Sequence, residues 1–310
     1  MTQKRLDESA HGVYIISATP FKDFGELDLD STDALVDFYI EKGVSGITVL
    51  GMMGEAQKLT AAESEAFVKR VMKRVDGRVP VVVGVSSAGT DNLVALSHFS
   101  MDAGAAGVMV APLAGLGTDE KVYNYFAEVL VALGDDVPVC YQDYPFATRT
   151  HLSVPLFNKL VNDFDQLVML KHEDWPGLNK ISVLRNTERD GVRRVSILCG
   201  NGGLYLPQEL ARGADGAMTG FAYPEMLVEV VRLYRDGEKD AAEDLFDAYL
   251  PLVRHEQQPG FGLALRKEVL RRRGIIKSAQ VRAPGPTLSP TDHDELTRLI
   301  ERVEKRVGER

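Results

Sequence analysis

The sequence predicts an α/β protein of the (β/α)8 TIM barrel class, followed by a C-terminal helical extension. Short β-branched runs alternate with longer segments whose apolar residues recur at helical spacing, a pattern typical of βαβ units. Eight such runs occur, which favours closure into a barrel over an open sheet. From Pro224 onward the strand signal disappears and only helical spacing remains. We therefore predict a barrel over residues 1–224 and a helical extension over residues 225–310.

The eight predicted strands are nearly continuous apolar runs, as expected of strands that are covered on both faces. They are Val13–Ser17, Gly46–Leu50, Val79–Val85, Gly107–Ala111, Val137–Tyr141, Leu167–Lys171, Val195–Gly200 and Gly216–Gly220. Between them lie helix signals, among them a capping box formed by Thr60 and Glu63. Three predicted helices stop at Gly43, Gly104 and Gly213, in the related segments EKGVSG, DAGAAG and ARGADG. This repeat is typical of βα units.

The composition is that of an acidic globular protein. Of 310 residues, 45% are hydrophobic and 26% are charged, which allows a sizeable core. A formal net charge of −9 would repel nucleic acid and anionic membranes, so we predict neither as a partner. The N-terminal segment lacks an apolar targeting region, and the chain lacks the run of roughly 18 apolar residues that a membrane span needs. We expect a cytoplasmic location.

Two local features suggest structure rather than ligand binding. Cys140 and Cys199 have no spacing typical of a metal site and are expected to be reduced core residues. The basic run over residues 266–273 is expected to form a solvated or subunit-facing side of a helix.

Lys171 terminates the sixth predicted strand, LVMLK, and TIM-barrel active sites lie at the carboxyl ends of the strands. Period-2 alternation places Leu167, Met169 and Lys171 on one face of this strand. If that face points inward, the ammonium is desolvated, which favours the neutral amine that attacks a carbonyl. The alternative is a surface lysine just past the strand, or one paired with Glu173 or Asp174.

The loop GMMGE (51–55) follows the second predicted strand. Its two glycines allow backbone N–H groups to point toward a bound carboxylate, which makes Gly51, Met52 and Met53 candidate substrate-binding residues. A tight turn without a ligand explains the glycines nearly as well. Position at the ends of predicted strands also nominates Asn201 and Gly220.

Together these segments resemble the dihydrodipicolinate synthase and N-acetylneuraminate lyase family of class I aldolases, from Gly12 to the last helix. The segments that carry the resemblance are ATPF (18–21), GMMGE (51–55), GNGG (200–203) and GADGAMTG (213–220). Lys171 falls where the family has its Schiff-base lysine. The resemblance implies a lyase acting on a 2-oxo acid such as pyruvate, without a metal or other cofactor. It also implies a homotetramer that is a dimer of dimers.

Two departures from the family pattern concern the site itself. Met52 and Met53 stand where the family has paired hydroxyl residues, so backbone N–H groups alone would hold a carboxylate. Alignment on Pro145 places Gln142 where the family has a proton-relay tyrosine, and Tyr141 lies one residue away. Because a one-residue shift turns a side chain to the opposite face, Tyr141 replaces the relay only if the strand bulges locally.

The leading hypothesis is a Schiff-base lyase that either cleaves or adds pyruvate by an aldol reaction, or dehydrates a 2-keto-3-deoxy acid. Tyr144, Asp143 and Glu55 are the candidate proton handlers, and Glu55 is better explained as a structural bridge. A second hypothesis is a catalytically altered paralogue that binds or regulates through a small molecule. A metal-dependent barrel lyase would need carboxylate or histidine ligands at the strand ends, which the six histidines do not supply.

Overall fold

The structure, a computed structural model, describes residues 5–308 and contains a closed barrel of eight parallel strands. The strands are Gly12–Ile16 (β1), Gly46–Val49 (β2), Val81–Gly84 (β3), Gly107–Val110 (β4), Val139–Asp143 (β5), Leu167–His172 (β6), Ser196–Cys199 (β7) and Gly216–Thr219 (β8). They follow one another around the barrel in chain order, and β8 pairs with β1. The predicted fold class is confirmed.

Helices alternate with the strands and cover the outside of the barrel. They are Leu29–Glu41 (α1), Ala61–Val75 (α2), Thr90–Asp102 (α3), Asp119–Leu133 (α4), Pro145–Thr148 (α5), Val154–Asp163 (α6), Leu178–Arg189 (α7), Leu206–Ala211 (α8), Pro224–Arg235 (α9), Lys239–Glu256 (α10), Gly262–Arg272 (α11) and Pro290–Gly308 (α12). Thr60 and Glu63 form the predicted capping box before α2. Gly43, Gly104 and Gly213 have positive φ just after α1, α3 and α8, as the repeated helix stops predict.

Side chains alternate along each strand between the barrel interior and the layer beneath the helices. The interior layer contains Tyr14, Ile16, Val82, Met109, Cys140, Met169, Leu198 and Met218. The outer layer includes Ile15, Val83, Tyr141 and Leu170, which pack with the surrounding helices. This alternation determines which residues of β5 and β6 can reach the centre of the barrel.

The boundary between the barrel and the helical extension, placed at residue 224 by the strand pattern, stays a prediction. Helix α9 packs against β1 and so completes the ring of barrel helices, while α10 packs on α9, α11 and α12. This packing groups α9 with the barrel and favours a boundary after Arg235. The two predicted regions, residues 1–224 and 225–310, also include residues 1–4 and 309–310, which lie outside the described residues. Within residues 5–308, no helix is both long and apolar enough to cross a membrane.

Candidate active site

A cavity of about 360 Å³ opens at the carboxyl ends of the strands, where TIM-barrel active sites lie. Strand ends form one part of its wall, and the segment between α10 and α11 forms another. Six predicted site residues line the cavity: Met52, Met53, Gln142, Tyr144, Lys171 and Gly220. Six of the ten site residues predicted from the sequence therefore lie together at this end of the barrel.

Lys171 lies inside the barrel mouth, with only 5% of its surface exposed. Its Nζ atom is 3.0 Å from Oε2 of Glu173, which is also buried and is two residues further along the chain. Gln142 donates a hydrogen bond from Nε2 to the same oxygen over 2.8 Å. The lysine is thus both inward-facing and paired with Glu173, two possibilities that the sequence left as alternatives. One carboxylate sits where it can exchange a proton with the amine.

The GNGG segment after β7 positions Glu173. A Cβ atom at Gly200 would lie 2.2 Å from Glu173 Cγ, so only glycine leaves room for this carboxylate. The Asn201 side chain donates to the Glu173 carbonyl over 3.0 Å, and its backbone N–H lies 3.4 Å from Glu173 Oε1. Asn201 therefore contacts Glu173 rather than the cavity wall, which corrects its prediction as a substrate-binding residue.

Tyr141 is turned away from the cavity, which corrects its prediction as a catalytic residue. Its ring stacks on Phe126 at a centroid distance of 4.2 Å and meets Phe157 edge-on, beneath the helices. Burial raises the pKa of Tyr141 well above its usual value, so the phenol stays protonated. The irregular register between β5 and β6 leaves Val168 of β6 unpaired, so the alternation along β5 is unbroken, and Cys140 and Gln142 face inward while Tyr141 does not.

Tyr144 provides the phenol that does line the cavity. It directly precedes the short helix α5, beyond the end of β5. Burial, together with the nearby Glu173 carboxylate, raises the pKa of Tyr144. The hydroxyl therefore remains a hydrogen-bond donor at neutral pH.

Asp143 also lies outside the cavity, which corrects its prediction as a substrate-binding residue. Strand β5 extends to Asp143, two residues beyond its predicted end, so the alternation continues and turns this side chain outward. Its Oδ2 atom accepts a hydrogen bond from Lys180 Nζ over 2.6 Å and lies 3.8 Å from His172 Nδ1. Asp143 thus belongs to a polar cluster behind β6.

Glu209 is a buried acid under the electrostatic influence of His172, and its protonation should make stability depend on pH. Burial raises its pKa from 4.5 to about 7, while His172 opposes the shift. The folded state therefore holds a proton that the unfolded state has lost between about pH 4.5 and 7. As a result, this contribution to stability falls as the pH rises through that window.

Glu209→Gln is expected to remove this loss, because the amide stays neutral at every pH. The variant should match the native protein at pH 5 and exceed its unfolding free energy at pH 8 by up to about 3 kcal/mol. Urea denaturation at both pH values measures the difference, and Glu243→Gln, on the exposed side of α10, is the control. An equal difference at both pH values would contradict the assignment.

The GMMGE loop forms one wall through Met52 and Met53, which begin a short 3-10 turn, Met52–Gly54. Gly51 is buried behind them, where a Cβ atom would touch Ile16 and Met109 at 3.6 Å. It shapes the loop rather than the cavity surface, which corrects its prediction as a contact residue.

Glu55 ties this loop to the C-terminal part of the chain. It accepts hydrogen bonds from Lys267 Nζ over 2.6 Å and from the Arg282 backbone N–H over 2.9 Å. Burial lowers the pKa of Lys267 to about 8, although the Glu55 carboxylate acts in the opposite direction. These contacts agree with the interpretation of Glu55 as a structural bridge.

The basic run differs from its prediction, because Arg266 and Lys267 are buried and only its later members reach the surface. Arg266 lines the cavity together with Glu256 from the end of α10. Neither residue was predicted, since helix α11 turns this face toward the barrel only through tertiary packing. The sequence signal that could have found them is the presence of charged residues within a strongly apolar stretch.

Across residues 5–308, no cluster of three His, Cys, Asp or Glu side chains is arranged to hold a metal ion.

The fold and cavity define a TIM-barrel protein with a buried lysine–glutamate pair at its active-site end. Residues 9–303 match the family model described as the dihydrodipicolinate synthetase family. The chain is 31% identical to the L-2-keto-3-deoxyarabonate dehydratase of Azospirillum brasilense, with 94% of each chain covered.

Two solved structures are also similar. A dihydrodipicolinate synthase from Rhodopseudomonas palustris is 50% identical, with a TM-score of 0.95 over 96% of this chain and 99% of that chain. A prophage protein of the dihydrodipicolinic acid synthase family from E. coli K12, solved in complex with pyruvate, is 25% identical. Its TM-score is 0.87 over 95% of this chain and 98% of that chain. The protein therefore belongs to the dihydrodipicolinate synthetase family, whose members include lyases named as synthases and dehydratases.

Proposed function

We propose that the protein is a lyase in which Lys171 forms a Schiff base with a 2-oxo acid, and that it dehydrates a 2-keto-3-deoxy sugar acid. The observation that carries this proposal is the buried pair of Lys171 and Glu173, whose charged atoms lie 3.0 Å apart at the cavity. The relative from Azospirillum is named a dehydratase of such an acid, and the relative from E. coli was solved with pyruvate.

Glu173 begins the reaction by accepting a proton from the Lys171 ammonium. The neutral amine attacks the C2 carbonyl of the substrate, and a proton shifts from nitrogen to oxygen in the adduct. Glu173 then returns its proton to the adduct hydroxyl, which leaves as water, so an iminium ion forms and Glu173 is again a carboxylate. Backbone N–H groups at Met52 and Met53 would hold the substrate carboxylate, because these side chains offer no hydroxyl. The iminium is the electron sink, so this step requires no metal or cofactor.

The iminium acidifies the C3–H bond, and Glu173 removes that proton to form an enamine. The enamine electrons then expel the C4 hydroxyl, which leaves as water with a proton returned by Glu173. Hydrolysis of the resulting iminium consumes the water released at the start and frees Lys171. The net change is the loss of one water molecule from C3 and C4. Gln142 and Tyr144 are positioned to orient the carboxylate and the leaving hydroxyl.

Dehydration suits this cavity better than aldol chemistry. Retro-aldol cleavage must deprotonate the C4 hydroxyl, for which the family pattern has a tyrosine where this chain has Gln142. Aldol addition or cleavage with pyruvate remains the second candidate, favoured by the 50% identity to a protein named dihydrodipicolinate synthase. The homotetramer and the cytoplasmic location are further parts of this proposal, and both rest on the family to which the chain belongs.

The test is borohydride reduction of the native protein with pyruvate or with a 2-keto-3-deoxypentonate, followed by mass spectrometry and peptide mapping. We expect one adduct per chain, on the peptide that carries Lys171, with Lys180 and Lys267 unlabelled. In the unreduced reaction, the sugar acid should lose water without releasing pyruvate. Release of pyruvate would establish the aldol candidate. The lack of an adduct with any 2-oxo acid would refute the Schiff base and favour a binding or regulatory paralogue.

A further inference from the structure

The cavity has a second charged pair, Arg266 and Glu256, on the side formed by β8 and the segment between α10 and α11. Arg266 donates a hydrogen bond from Nε to Glu256 Oε2 over 3.1 Å, and the Ala222 backbone N–H donates to the same oxygen over 3.2 Å. Both charged side chains are at least 97% buried. The pair is therefore held rigidly at the wall of the cavity that contains Lys171.

Each member of the pair keeps one polar atom without a hydrogen bond. Among the residues that the structure describes, Arg266 Nη1 and Glu256 Oε1 have no partner. Buried polar atoms are nearly always hydrogen-bonded, and an unpaired one carries a free-energy cost. The pair that lines the cavity therefore retains both donor and acceptor capacity that the protein itself does not use.

Gly220 lets the guanidinium reach the cavity. A Cβ atom at Gly220 would lie 2.3 Å from Arg266 Nη1, so any side chain there would displace the arginine. Gly220 follows β8, which is two strands from β6 around the barrel. Two strand spacings amount to roughly 10 Å, a distance that the Lys171 side chain and a five- or six-carbon substrate can bridge together.

We propose that Arg266 and Glu256 form a subsite for the hydroxyl groups at the distal end of the substrate, and that it selects a hydroxylated tail over a second carboxylate. This inference rests on the proposed function, because it concerns the substrate that Lys171 holds. The hydroxyl groups of such a tail can accept from the Arg266 guanidinium and donate to the Glu256 carboxylate. A distal carboxylate accepts from Arg266 but is repelled by the Glu256 carboxylate, which already balances the arginine charge.

The experiment measures the concentration of each acid that gives half-maximal borohydride labelling of Lys171. The probes are a 2-keto-3-deoxypentonate, 2-oxoglutarate and pyruvate, which carry a hydroxylated tail, a distal carboxylate and no tail. The native protein should label with the pentonate at about tenfold lower concentration than with 2-oxoglutarate. Arg266→Lys should raise the half-maximal labelling concentration of the pentonate, relative to that of pyruvate, by about 10- to 100-fold.

Glu256→Gln should lower the half-maximal labelling concentration of 2-oxoglutarate, relative to that of pyruvate, by about tenfold, because the subsite becomes cationic.

Arg271→Lys is the matched control, since Arg271 lies on the same helix but pairs with Glu268, and its side chain is 46% exposed. For Arg271→Lys, the half-maximal labelling concentrations of the two tailed acids, each divided by that of pyruvate, should equal those of the native protein. Ratios for Arg266→Lys and Glu256→Gln within twofold of native would overturn the subsite. A native preference for 2-oxoglutarate would also overturn it, and that measurement needs no variant to fold. If no probe labels Lys171 at all, the proposed function itself fails, and the subsite fails with it.

Discussion

Lys171→Ala is expected to lower turnover by about 10⁴-fold or more, because no other group on the strand ends can form the imine. The variant should also give no borohydride adduct. Removal of the ammonium leaves Glu173 buried with only N–H donors, and loss of one partner of a buried ion pair typically costs about 3–5 kcal/mol. Gln142 and the Asn201 N–H still contact the carboxylate, so the loss of stability should fall at the lower end of that range.

Lys180→Ala is the control for this variant. Lys180 is a lysine with a 9% exposed side chain that pairs with Asp143 and Asp174, but it lies behind the barrel wall. Its loss should reduce stability and leave the adduct on Lys171. If Lys171→Ala retained as much turnover as Lys180→Ala at a temperature where both variants are folded, the imine role of Lys171 would be contradicted.

Glu173→Gln is expected to lower kcat by roughly 10²- to 10⁴-fold, the range for loss of a general acid–base group. Glutamine keeps the shape of the side chain and its contact with Gln142, but it cannot accept the lysine proton or transfer the C3 proton. Imine formation with pyruvate should persist, because the amine of Lys171 is retained. The variant should therefore separate imine formation from dehydration.

Asp174→Asn is the matched control, since Asp174 is the next residue and pairs with Lys180 rather than with Lys171. It should retain most of the turnover. The double variant Lys171→Ala with Glu173→Gln adds a test of stability. Its unfolding free energy should be higher than the value obtained by adding the decreases of the two single variants, because the ion pair is lost only once. Full turnover by Glu173→Gln would contradict the role of Glu173 as the proton carrier.

The sequence alone was sufficient to predict the barrel, because its evidence is local. Eight apolar runs and repeated helix stops determine the order of strands and helices. Period-2 alternation grouped Lys171 with Met169, and alignment on Pro145 placed Gln142 at the site, but neither argument decided which face is inward. Tyr141 was a candidate only if β5 bulged, and β5 is regular there. Asp143 was misplaced because β5 continues two residues beyond its predicted end.

Only the tertiary structure shows which residues that are distant in the sequence share the cavity. Arg266 and Glu256 come from the helical extension, and α11 reads locally as a basic helix whose buried side depends on packing against the barrel. Glu173 was visible as a neighbour of Lys171, but its place at the amine depends on Gly200 and Asn201 from the next strand end. Local sequence encodes the direction of a side chain within its own element, whereas the partners of a buried charge are set by how the elements pack around it.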